Sequence, residues 1–227
     1  RDRDNNGDGQ PELVLFGFPG SVSVVTSRTD AEPVINLDGS EKIPVPTCIE
    51  GNPDGLSANT MGYDLEGGVN LGGGPGTDFV FSTYFQNRIA VISQDEDEID
   101  CFEYGRYHFG IDVSLAGDVD GDGHQDLIVS HGVNVDGSDD VETNGYVFLN
   151  DGNGRFGEFD NDVNGIAEQR IPHMRLDALT VTPGAPNNET GVSGVSGVGD
   201  FNGDGTDDLG AVLKQPGAGS LQLVIYY

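Results

Sequence analysis

GDVDGDGHQDLIVS, residues Gly117–Ser130, places carboxylates at Asp118, Asp120, Asp122 and Asp126 around Gly121 and Gly123, then runs straight into an apolar segment. That spacing reads as a cation loop. Acids at loop positions 1, 3 and 5 wrap their oxygens round one point, and hard divalent cations take about six to eight oxygens at about 2.3–2.6 Å. The glycines reach positive φ without steric cost and permit the tight wrap. His124 at position 7 offers its main-chain carbonyl, and Asp126 at position 9 closes the cage where the strand Leu127–Ser130 begins. A metal held there pins the entrance to a strand.

The pattern recurs along the chain, which is the signature of a repeat architecture. In DNNGDGQPELVLFG, Asp4, Asn6, Asp8 and Glu12 stand at positions 1, 3, 5 and 9, ahead of the strand Leu13–Phe16. In GDFNGDGTDDLGAV, Asp200, Asn202, Asp204 and Asp208 take the same places, with Thr206 at the carbonyl position. Glu12 is one methylene longer than the aspartates and is expected to weaken its site. A fourth copy, VNLGGGPGTDFVFS, puts Asn70 under Asp118 and Asp78 under Asp126, while Gly72 and Gly74 replace the middle acids. This loop is expected to keep the turn and hold no metal.

The surroundings repeat as well. Small-residue strands precede the last three loops: MGYDLEGGV at 61–69, FGIDVSLAG at 109–117 and GVSGVSGVG at 191–199. Paired apolar runs follow each loop: Leu13–Phe16 with Val22–Thr26, Phe79–Thr83 with Arg88–Ser93, Leu127–Ser130 with Tyr146–Asn150, and Leu209–Leu213 with Leu221–Tyr226. Runs of four to six residues bounded by Gly, Pro, Asn and Asp predict strands in hairpins. Ile99–Tyr104 and Asn150–Phe156 are expected to add a fourth, outer strand to the second and third units. No window carries a helical stripe, so helix content should be near zero.

The expected fold is therefore all-β, a single domain over 1–227 in repeat units of about 1–60, 61–108, 109–190 and 191–227. A small sheet that is apolar on both faces cannot bury them alone and stacks on its neighbours. Radial stacking gives a β-propeller of four-stranded antiparallel blades with the small-residue strands innermost, where Gly67, Ala116, Gly194, Ser196 and Gly197 fit. A β-sandwich built of the same hairpins is the competing arrangement.

Charge narrows the partners. The chain's 39 acids against 10 bases give a formal charge of −29, which repels nucleic acid and anionic membranes. No apolar run approaches the roughly 20 residues of a membrane helix. The sequence begins at Arg1, inside the first motif, and is expected to be a mature or excised piece. Cys48 and Cys101 are compatible with one disulfide in an oxidising compartment or with two buried thiols. Asn188-Glu189-Thr190 is a glycosylation-type triplet in a loop. Catalytic candidates are sparse: His108, His131 and His173 are scattered, Arg88 and Arg106 more simply neutralise acids, and no residue is assigned a catalytic role. His131, just past a strand end, is the best single candidate for a polar site. The acidic stretches Asn134–Asn144 and Asp95–Glu98 read as solvated loops.

The combination of FG, a small-residue strand, GDVDGDGHQDLIVS, GYVFLN and NDGNGRF resembles the FG-GAP and related VCBS repeats of integrin-alpha-type β-propellers. All four units carry part of it. The resemblance implies calcium in the loop joining the first and second strands of a blade, at three sites: Asp4, Asn6, Asp8, Gln10 and Glu12; Asp118, Asp120, Asp122, His124 and Asp126; Asp200, Asn202, Asp204, Thr206 and Asp208. Gln10, His124 and Thr206 would donate main-chain carbonyls. Such propellers commonly have seven blades, so four units imply part of a larger propeller, a small four-bladed ring, or completion by partner chains. The implied function is an extracellular or cell-surface adhesion module, not an enzyme, that binds a protein or glycan partner. The alternatives are the propeller part of a secreted polysaccharide-acting enzyme and a structural subunit of a surface layer or fibre.

Overall fold

The computed structural model describes residues 13–17, 21–25, 41–43, 64–72, 74, 76–83, 87–93, 98–104, 109–131, 145–159, 168–176, 191–214 and 221–227. The first unit contributes β1 (Leu13–Gly17), β2 (Ser21–Val25) and β3 (Glu41–Ile43), paired in that order. The second contributes β4 (Leu65–Val69), β5 (Asp78–Thr83), β6 (Arg88–Ser93) and β7 (Glu98–Glu103), an antiparallel meander. In the third, β8 (Phe109–Gly117), β9 (Asp126–His131) and β10 (Gly145–Phe148) are followed by β11 (Glu158–Phe159), β12 (Glu168–Ile171) and β13 (Met174–Leu176). Its sheet runs β13-β10-β9-β8. The fourth unit is β14 (Gly191–Gly199), β15 (Asp208–Lys214) and β16 (Leu221–Tyr226). The described residues are thus all-β, with antiparallel pairing everywhere except between β12 and β7, no sheet that closes on itself and no helix among them.

One expectation is corrected. Of Ile99–Tyr104, all but Tyr104 lie on the last strand of the second unit, β7, but Asn150–Phe156 is a turn, and the outer strand of the third sheet is β13. Gly152 and Gly154 adopt φ of 80° and 79°, and Asp151 N–H donates to the Arg155 carbonyl at 3.0 Å. Two glycines in the left-handed region cannot continue a strand. The residues beyond that turn form the hairpin β11–β12, and β12 crosses to the second unit, where it pairs in parallel with β7.

The third sheet is apolar on both faces because both are covered. Leu127 and Val129 of β9 join Val80, Ile89, Val91 and Phe102 of the second unit in one core; Ile128 joins Val192, Val195, Leu209, Ala211 and Leu213 of the fourth unit in another. Alternation along one strand into two cores produces the unbroken run that the sequence shows. Aromatic rings fill the first core, with Phe102 and Phe148 centroids 5.2 Å apart and Tyr104 and Tyr146 4.9 Å apart.

The small-residue strands lie against one another, and the reason is steric. A Cβ on Gly197 would sit 2.5 Å from the Ala116 carbonyl oxygen, so β14 approaches β8 backbone to backbone. A repeated carboxylate latch joins these strands. Asp64 Oδ2 accepts the Val113 N–H at 2.8 Å, and one unit later Asp112 Oδ2 accepts the Val195 N–H at 2.8 Å. Asp64 and Asp112 also touch each other. Burial first, and then Asp64 as a hydrogen-bonded and like-charged neighbour, push the Asp112 carboxyl up to about 6, against the opposing pull of the Val195 N–H.

Outside the apolar cores, a buried ion pair fixes the crossing hairpin. Arg170 Nη2 on β12 donates to Asp100 Oδ1 on β7 at 2.8 Å, Arg170 Nε donates to the Phe156 carbonyl at 3.0 Å, and Phe156 N–H donates to Asp100 Oδ2 at 3.0 Å. Cys101, next to Asp100, is buried and disulfide-bonded; Cys48 lies outside the described residues.

Removing one partner of a buried pair strands the other charge, so Asp100→Ala should cost about 3–5 kcal/mol in a denaturant-unfolding measurement. A loss below about 1 kcal/mol, the range of exposed pairs, would refute the buried role. The Asp112 shift has its own signature. A carboxyl raised above its unfolded value of 3.8 binds a proton in the folded state that the unfolded state lacks. Its contribution is therefore full below that value and lost as pH rises to about 6. Asp112→Asn keeps an acceptor for Val195 and removes the charge, so its urea midpoint should gain on the wild type across that window. Parallel curves would sink the assignment.

Candidate metal centre

In the third unit, β8 ends in a bulge between Leu115 and Gly117, and Gly117 at φ 91° turns the chain into the loop. The same bulge precedes the loops of the second and fourth units, at Gly67/Val69 and Gly197/Gly199. Bulges re-aim a strand, and here each one aims the chain into the loop of its unit.

Within that loop, Asp118, Asp120 and Asp126 each bring a carboxylate oxygen within 4.8 Å of the others. The loop's own N–H groups position them. Asp118 Oδ1 and Oδ2 accept from Gly121 N–H at 2.8 Å and Gly123 N–H at 2.9 Å; Asp120 Oδ1 accepts from Asp122 N–H at 3.2 Å. Asp126 Oδ2 accepts from Val119 N–H and Oδ1 from Asn150 N–H, both at 2.9 Å. Asp126 is 0% exposed, whereas Asp120 is open to solvent. Burial first, then Asp120 and Asp122 by repulsion, lift the Asp126 carboxyl to about 6, with the two N–H groups acting in the opposite sense. All the converging donors are carboxylate oxygens, the set preferred by hard cations such as calcium and magnesium. Asp122 is outside the converging trio; its Oδ1 accepts from His124 N–H at 2.9 Å. The exposed His124 ring lies against Gly152, where a Cβ would meet Nε2 at 2.6 Å.

The fourth-unit loop has the same plan with one difference. Asp200 accepts from Gly203, Asp204 and Gly205 N–H groups, and Asp208 Oδ2 accepts from Phe201 N–H at 2.8 Å. The Asn202 amide donates to Asp204 Oδ2 at 2.9 Å and to Asp208 Oδ1 at 3.4 Å, so it cross-links carboxylates that a cation would bridge. Thr206, through its hydroxyl and its N–H, holds the Asp204 carboxyl below its usual range. Among the described residues, the trio Asp118, Asp120 and Asp126 is the one group of three such acids.

The acid-poor second-unit loop closes with an amide. Asn70 Nδ2 donates to the Gly74 carbonyl at 2.8 Å and Asn70 Oδ1 accepts from Gly72 N–H at 2.9 Å. Asp78 still accepts from Leu71 N–H at 2.6 Å, and burial raises its carboxyl. Asp4, Asn6, Asp8, Gln10 and Glu12 lie outside the described residues.

Two positioning residues were not found in the sequence. Buried Asn150, besides donating its N–H to Asp126, donates its amide to the carbonyls of Leu71 at 2.9 Å and Gln125 at 3.1 Å, so one side chain ties two loops together. Asp207 Oδ2 accepts from Asp118 N–H, and Asp207 N–H donates to the Asp118 carbonyl, both at 2.9 Å. The fourth unit thereby clamps the first acid of the third unit's loop. The doubled acid in TDDL, where the other loops have a neutral residue at position 8, was the available signal.

The other polar candidates are occupied. His131 is buried and stacked on Tyr146 at 5.5 Å, His173 Nδ1 accepts from Leu149 N–H, and Arg88 pairs with Glu103 at 3.3 Å. His108, Arg106, Asn134–Asn144 and Asn188 lie outside the described residues. No protein-family model matches the chain, and no curated protein matches it.

Asn150→Ala would leave the Leu71 and Gln125 carbonyls short of a donor, at a cost of about 1–3 kcal/mol. Asn150→Asp should cost as much or more, since it sets a carboxylate against those carbonyls. Denaturant midpoints equal to wild type for both would show that the tie does not matter.

Proposed function

We propose that this chain is a calcium-stabilised interaction module of the FG-GAP and VCBS type. In this reading its units stack radially as blades of a β-propeller that is larger than this chain. The observation that carries the proposal is the convergence of Asp118, Asp120 and Asp126 at the mouth of β9, between two hydrophobic cores. The close approach of β14 to β8 supports radial stacking, because blades crowd at an axis.

Calcium, when bound, neutralises carboxylates that otherwise repel, so binding and folding of the loop are coupled. The chain supplies the rest. Glycine N–H groups aim Asp118, Val119 and Asn150 N–H groups hold Asp126, and Asp207 keeps Asp118 in register. A loop held in this way fixes the start of β9 and stiffens the face on which it lies. Such a face suits recognition of a protein or glycan outside the cell or at its surface. The donor set supports metal binding without supplying a nucleophile or a proton-transfer pair.

Three sites are expected, at the loops beginning with Asp4, Asp118 and Asp200. Calcium at about a hundredfold excess over Kd adds about 2.7 kcal/mol per site, which for a chain of this size moves Tm by about 5–10 °C. Calorimetric titration and paired melts with calcium and with chelator measure both quantities. Asp118→Ala, which removes the position-1 carboxylate common to all three of those loops, should remove one equivalent of binding. A Tm indifferent to chelator would end the proposal.

A further inference from the structure

The polar groups of Asp118 are all engaged, and their partners divide between two units. Its carboxylate oxygens accept from the Gly121 and Gly123 N–H groups within the third unit's loop, at 2.8 and 2.9 Å. Its main chain is held by the fourth unit: the N–H donates to Asp207 Oδ2 and the carbonyl accepts from Asp207 N–H, both at 2.9 Å. A glycine makes room for this grip. A Cβ on Gly117 would lie 2.6 Å from Asp207 Cγ, well inside the usual carbon–carbon separation of about 3.5–4.0 Å.

The seam is otherwise open at this end. Between the two loops lies a cavity of about 340 Å³, walled by Ala116, Gly117 and Gln125 on one side and by Val198, Gly199 and Asp207 on the other. The two bonds of Asp207 bridge a gap that side chains leave unfilled. The grip also falls where the acids converge. In the second unit's loop position 1 is Asn70, and among the described residues it makes no bond to Gln125, which holds in the third loop the position that Asp207 holds in the fourth. Asn70 turns inward instead, onto Gly72 and Gly74.

The backbone at residue 118 sets where its carboxylate can reach, and Asp207 fixes that backbone from outside the loop. We propose that Asp207 is a positioning residue for the Asp118 cation site, so that docking of the fourth unit and calcium in the third unit's loop strengthen each other. This rests on the calcium reading given above. Linkage makes the effect reciprocal: the factor that the docked fourth unit adds to calcium affinity is the factor that calcium adds to closure of the seam.

Amide hydrogen exchange and calorimetric titration of the whole chain test both directions. The Asp207 N–H, lodged in the seam, should exchange at least about fivefold more slowly with calcium than with chelator. Asp118→Ala, which keeps the main chain of residue 118 and removes its carboxylate, should abolish that difference. In the other direction, Asp207→Ala should raise the calcium Kd of the equivalent that Asp118→Ala removes, by at least about fivefold. Asp207→Asn keeps an oxygen for the Asp118 N–H and should recover most of the loss. Because Asp207 also belongs to the fourth unit's loop, the double variant decides which site it serves: added to Asp118→Ala, Asp207→Ala should leave the remaining sites unchanged. Equal exchange with and without calcium in a chain that binds it, or an Asp207→Ala effect undiminished by Asp118→Ala, would overturn the proposal and leave the calcium reading standing. A chain that takes up no calcium in the titration sinks that reading, and this one with it.

Discussion

A buried carboxylate at the first residue of a strand is the contact on which the units depend. Asp78, Asp126 and Asp208 each accept the N–H of the second loop residue, at 2.6, 2.9 and 2.8 Å, and each is nearly or wholly buried. This bond closes the loop whether or not the remaining ligands are present. In the second unit, where glycines replace the middle acids, Asn70 completes the closure with its amide. Loop shape and metal chemistry are therefore separable in this chain. The closing aspartate secures the first, and in the third unit Asp118 and Asp120 bring to it the further carboxylate oxygens that could hold a metal ion. Burying a carboxylate is expensive unless it is hydrogen-bonded, and the paired N–H donors on Asp126 offset that cost.

Much of this was legible in the residues. Odd-numbered acids around glycine located the loops because a ligand sphere dictates its own spacing, and alternation failed in LIVS because both faces of β9 are covered. Small residues located strands that meet backbone to backbone because such contact excludes side chains, as Gly197 shows against Ala116. What stayed hidden depended on partners distant in sequence. Asn150 looks like a turn residue, and nothing near it announces that its amide reaches Leu71. The NDGNGRF stretch resembled a strand by its place in the repeat, yet its two glycines bend it back at once. β12 could not be foreseen, since short polar runs such as EQRI gain their strand only from a neighbour already in place.

Charge enters at two scales. The net charge of −29 is a surface property that favours solubility and cation attraction. Local pairs act differently. Asp64 and Asp112 crowd together because each satisfies an N–H on the following unit, so a repulsive contact is tolerated for the two hydrogen bonds that it accompanies. The Asp100–Arg170 pair is the converse, an attraction in a dry setting that holds two units together where β12 meets β7.

The parallel pairing of β12 with β7 alters how the chain can come apart. In a simple linear array each repeat touches only its neighbours through one kind of interface, so units can fray in sequence from an end. Here the third unit lends a hairpin to the outer edge of the second while their apolar faces meet further in. Loss of the third unit thus exposes a strand edge and a core face of the second in a single event. The second and third units are therefore joined by two kinds of interface at once, so neither can be lost without disturbing both.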